Sequence, residues 1–140
     1  GSGTALIENT TVLSDSFIDL RSDYGSTWNG KLIIRNCRFY PTGISSHIIN
    51  AENSEDHDFG YICYLPSEIE IDGFYVHRIG TNYLFTKVNS KHNSDSYNAQ
   101  YPVIPPQEIT VSNFSNLLFG KLSVSKNKSI FKTEITEQGA

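Results

Sequence analysis

Apolar and polar residues alternate along this chain in short runs punctuated by Asn, Gly and Pro, and no run keeps the helical period long enough to predict an amphipathic helix. Four of the runs align on one another: Ala5 to Val12, Leu32 to Phe39, Ile69 to Val76 and Ile109 to Asn116. The third residue of each is aliphatic (Ile7, Ile34, Ile71, Val111), and the fifth is Asn or Gly (Asn9, Asn36, Gly73, Asn113). The sixth is Thr10, Cys37, Phe74 or Phe114. Second and fourth positions are mostly polar, so each run begins as a half-buried strand. A second short strand is expected after each run: Phe17 to Leu20, His47 to Asn50, Tyr83 to Thr86 and Leu117 to Gly120.

Each unit thus reads as strand, bend, short strand, second strand and loop. If successive units stack at the inter-strand spacing of roughly 4.8 Å, equivalent side chains lie above one another. Inward columns must then be apolar and similar in size, as Ile7, Ile34, Ile71 and Val111 are. The bend needs positive φ, which Gly and Asn tolerate. Asn9, Asn36, Gly73 and Asn113 therefore read as a structural ladder, with Asn amides hydrogen-bonding along the stack. A β-sandwich or jelly roll explains the alternation but neither the matched columns nor the repeated bend. The fold expected is all-β, a right-handed parallel β-helix of about four coils with inserted loops on one side. The bends are 27, 37 and 40 residues apart, so the coils carry insertions of different length.

Those insertions (22–30, 51–66 and 89–106) start polar, pass through Asp, His or Asn, and the longer two leave through Tyr and Pro. Stacked coils would place Trp28, Tyr61, Tyr64, Tyr97 and Tyr101 on one side, beside Asp56 and His57. Flat rings among polar donors and acceptors suit a sugar, whose C–H face packs on aromatics while its hydroxyls need bidentate partners. These seven residues are the candidate carbohydrate-binding set. The plainer reading is that the tyrosines cover apolar coil edges.

Composition narrows the alternatives. The net charge is −4 with scattered Lys and Arg, which offers no footprint for nucleic acid. No apolar run approaches the roughly 18 residues of a membrane-spanning helix. Cys37 and Cys63 fit neither a zinc spacing nor a redox pair and are read as buried thiols. The run Glu55–Asp58 lacks a calcium-loop pattern, so no metal and no cofactor are expected. Asp58 and Glu68 are weak candidates for a hydrolytic acid pair, but no catalytic residue is assigned. Arg38 marks no site, and His77 beside Arg78 is read as an ordinary coil-edge residue. Glu68, Glu70 and Asp72 lie on one outward, solvated face.

Residues 1–3 read as a tag remnant, 4–122 as the repeat region and 123–140 as a tail with one more strand, Ser129 to Ile135. That strand would close the stack or exchange onto another chain. Open solenoid ends need capping, which points to a neighbouring subunit or a larger parent protein. The pattern, above all Leu32 to Phe39 with its Tyr-rich insertions, resembles the pectate-lyase-like right-handed β-helix superfamily. Within it the chain is most similar to bacteriophage tailspike and tail-fibre proteins. The resemblance covers residues 4–122 and is architectural, without a matched catalytic motif. It implies a homotrimer on an extracellular virion that binds bacterial surface polysaccharide or shapes the spike. The alternative is a polysaccharide hydrolase or lyase with its site on the loop face or between subunits.

Overall fold

The computed structural model describes residues 1–20, 27–43, 45–50, 60–78, 81–85, 100–101, 103–104, 106–117, 122–123 and 132–137. Among them there is no helix. The strands are β1 (Thr4–Glu8), β2 (Thr11–Ser14), β3 (Ser16–Asp19), β4 (Lys31–Pro41), β5 (Ser45–Asn50), β6 (Cys63–Tyr64), β7 (Glu68–Val76), β8 (Thr81–Phe85), β9 (Val103–Ile104), β10 (Glu108–Asn116), β11 (Leu122–Ser123) and β12 (Lys132–Glu137). They form three sheets. The first runs β1-β4-β7-β10-β12 with β2 also on β4, the second runs β11-β8-β5-β3, and the third is β6-β9. Every pairing is parallel.

The columns read from the sequence are the register of the first sheet. Ile7 pairs with Ile34, Ile34 with Ile71, and Ile71 with Val111. Cys37, Phe74 and Phe114 form the next inward column. Between these columns the bend residues Asn9, Asn36 and Asn113 have φ of 54°, 51° and 53°, and Gly73 has 77°. The bend also changes which residues face inward. In β4, Leu32 and Ile34 are buried, Arg35 and Asn36 are not, and Cys37 and Phe39 are buried again. One extra outward residue per rung shifts the inward set by one, from even to odd positions in β4 and from odd to even in β7 and β10, as a bulge does. Among the described residues the expected amide-to-amide hydrogen bonds along this column are not formed. With no amide at position 73, Asn113 Nδ2 donates instead to Asp72 Oδ1 at 2.6 Å.

The core lies between the first and second sheets. Phe17 of β3 meets Phe74 edge-on at 5.0 Å, Phe74 stacks on Phe114 at 6.2 Å, and Ile48, Ile49 and Leu84 close the far side. Cys63 and Leu65 join it from the third sheet and its exit. Both cysteines are free thiols, and burial raises their pKa. They fill core positions as small apolar groups.

One expectation changes, and two other segments find their partners. The described strand beside β8 in the second sheet is Leu122–Ser123, paired to Asn82 and Tyr83. Leu117 is a turn residue with 39 % exposure, and 118–120 lie outside the described residues. The offset of 40 that relates β10 to β7 also relates β11 to β8, so the rung keeps its length through both sheets. The tail strand takes the next rung of the first sheet, Lys132 opposite Glu108, an offset of 24. Finally, Gly1 to Gly3 are engaged in the fold: Lys31 N–H donates to Gly3 O at 3.1 Å and Asn29 N–H to Gly1 O at 3.0 Å.

Candidate functional site

Of the seven sugar-contact candidates, Asp56, His57 and Tyr97 lie outside the described residues, as does Asp58. The other four gather on one side of the molecule. Tyr64 N–H donates to the Thr27 hydroxyl at 2.5 Å, which ties the first insertion to the second. Cys63 and Tyr64 pair with Val103 and Ile104. Tyr61 and Tyr101 each lie two residues before this pairing.

Their surroundings differ. Trp28 is half-buried against the core, and its indole N–H donates to Gly3 O at 3.0 Å. Tyr61 also packs on the core. These two rings give much of their surface to packing, as the plainer reading expected, while Tyr64 and Tyr101 are half-exposed rungs of the same side.

Glu68 is set as an ion-pair partner. Its Oε2 lies 3.1 Å from Lys31 Nζ across adjacent rungs, with 50 % of the Glu68 side chain exposed. The hydrogen bond and charge of Glu68 raise the Lys31 pKa. A general acid of a glycosidase needs an apolar pocket that keeps its proton, and Glu68 has a lysine in water instead. Arg35 and Glu70 make the second such pair, at 3.4 Å. The outward acidic face is therefore bound rung to rung. Among the described residues, no group of His, Cys, Asp and Glu is arranged to hold a metal ion.

A second arrangement escaped the sequence. Past the bend, β4 and β7 turn Arg38 and Tyr75 outward in one register column, and Tyr40 stands two residues beyond Arg38. Tyr40 and His77 rings are 4.8 Å apart at 35°, and Tyr75 Oη lies 2.8 Å from His77 Nδ1. His77, read as an ordinary edge residue, is the centre of this cluster. An open groove of 290 Å³ runs beside it, lined by Asn36, Arg38, Gly73, Tyr75, Asn113 and Ser115 among others. The signal lay in the parity change at the bend, which places residues two and four past each Asn or Gly on the outer face.

Compared with known protein families, curated proteins and solved structures, the chain matches none.

Proposed function

We propose that the chain is a segment of right-handed parallel β-helix, about four coils long, from a virion tailspike or tail fibre. Its role is to bind a host cell-surface polysaccharide with the loop side, or to shape the spike trimer. The observation that supports this reading is the matched rung register: the four bends at positive φ coincide in one column, and the β6–β9 pairing stacks the loop exit that carries Tyr64 on the next one. Parallel rungs present equivalent side chains at a regular spacing, which fits a ligand that itself repeats.

Binding is favoured over cleavage because Glu68 is engaged by Lys31 in solvent. The test is titration of purified host-surface polysaccharide with the protein, followed by a reducing-end assay on the same samples. Saturable binding that weakens in Tyr64→Ala, with no new reducing ends, is the expected result. Release of reducing ends that disappears in Glu68→Gln would replace this reading with a hydrolase.

A further inference from the structure

The outer face just past the bend carries three parallel columns, all on the first sheet. The bend column is Asn9, Asn36, Gly73 and Asn113. Next to it runs a polar column in which Thr11 pairs with Arg38, Arg38 with Tyr75, and Tyr75 with Ser115. Beyond that is a column of ring and aliphatic surface, Leu13, Tyr40, His77 and Leu117. Leu13 pairs with Tyr40, and the Tyr40 and His77 rings touch. His77 N–H and Leu117 N–H donate to Phe39 O and Val76 O, which extends the rung pairing to this column. Four rungs make a strip about 14 Å long.

The strip has the properties of a ligand surface. Leu13 is 75 % exposed and Leu117 39 %, so its apolar column is open to solvent at both ends. The Arg38 guanidinium is exposed and pairs with no carboxylate among the described residues, whereas Lys31 and Arg35 are both paired. The groove beside it is lined by Gly73, where the column lacks a side chain and Asn36 Oδ1 leans into the space. The Tyr75–His77 hydrogen bond and the Tyr40–His77 contact hold three rings in fixed relation, so little side-chain entropy remains to be lost on binding.

We infer that this strip is a second binding site, for a saccharide unit that carries an anionic group. Its C–H face would pack on Tyr40 and His77, its anionic oxygens would meet Arg38, and its hydroxyls would reach Asn36 and the Tyr75 hydroxyl. A planar guanidinium reads carboxylate or phosphate oxygens in the same bidentate manner, while rings beside it demand an apolar face on the same ligand. An inorganic anion satisfies only the first requirement and a neutral sugar only the second. The inference is independent of the loop-side reading, because the two surfaces lie on different sheets.

The test is NMR titration of the whole chain with glucuronate, glucose and inorganic phosphate, read at the Tyr40, Tyr75, His77 and Arg38 side chains. Glucuronate is expected to shift all four with a millimolar dissociation constant and glucose to bind about tenfold more weakly. Phosphate should move Arg38 alone. Arg38→Gln, a change at an exposed side chain, should bring glucuronate down to the level of glucose. Tyr40→Leu should weaken both sugars. Glucuronate that leaves the four side chains unmoved, or binds no better than glucose, overturns the proposal. So does phosphate that reproduces every shift. Tyr61, Tyr64 and Tyr101 resonances report the loop side in the same spectra, so the two readings fail separately.

Discussion

At position 73 the backbone has φ of 77°, and a Cβ built there would lie 2.7 Å from Asn36 Oδ1. That oxygen ends a flexible side chain and can move, so the backbone angle decides what the site accepts. Asn holds the equivalent positions at 51° to 54°. Gly73→Asn should therefore change stability by less than about 0.5 kcal/mol, whereas Gly73→Val should cost about 1–2 kcal/mol, a difference measured by urea unfolding. The two thiols give a second residue-scale expectation. Burial raises their pKa in the folded chain above the unfolded value. The folded state then keeps its thiol protons where the unfolded state loses them. The stability this gives is fully present below the ordinary thiol pKa and is lost as pH rises through and above it. Unfolding midpoints should fall on the alkaline side, and less so in Cys37→Ser/Cys63→Ser. Native protein should react slowly with a thiol reagent and expose two thiols in denaturant.

At the scale of the strands, inward and outward columns carry unequal energies. Outward, Lys31–Glu68 and Arg35–Glu70 are partly exposed pairs that water screens and salt weakens. Inward, Phe74 is 1 % exposed and touches Phe17, Phe39 and Phe114 from two sheets. Glu68→Gln should lower stability far less than the loss of a core ring. Phe74→Ala should cost about 3–5 kcal/mol by transfer and cavity together. Denaturant curves of both variants at low and high salt test this, since only the Glu68 effect should shrink with salt. The strands themselves were legible in their first halves, where Ile34, Ile71 and Val111 alternate with polar residues. Past the bend the alternation slips by one, and Arg38, Tyr40, Tyr75 and His77 cannot be assigned a face until that slip is known.

For the molecule as a whole, stability comes from rung against rung, with partners 27, 37, 40 and 24 residues apart along the first sheet. Contacts so distant in sequence close large loops before they gain anything, so refolding should take milliseconds to seconds and show no fast helical phase by stopped-flow circular dichroism. The proposed spike role adds an expectation about assembly: sedimentation equilibrium should give a trimer, and a monomer at high concentration would remove that role.

What the sequence determined by itself was the inward column and the bend. Burial with a period of two and tolerance of positive φ are properties of single residues in their local chain, so Ile7, Ile34, Ile71 and Val111, with Asn9, Asn36, Gly73 and Asn113, could be aligned without knowing the partners. The tertiary structure alone decided which outward residues become neighbours. It set Lys31 on Glu68, Tyr40 on His77, Leu122 on Asn82 and Lys132 on Glu108. Outward positions share no demand for size or polarity, and the loops between rungs differ in length, so no local pattern marks those pairs. They exist only once the backbone register has been closed.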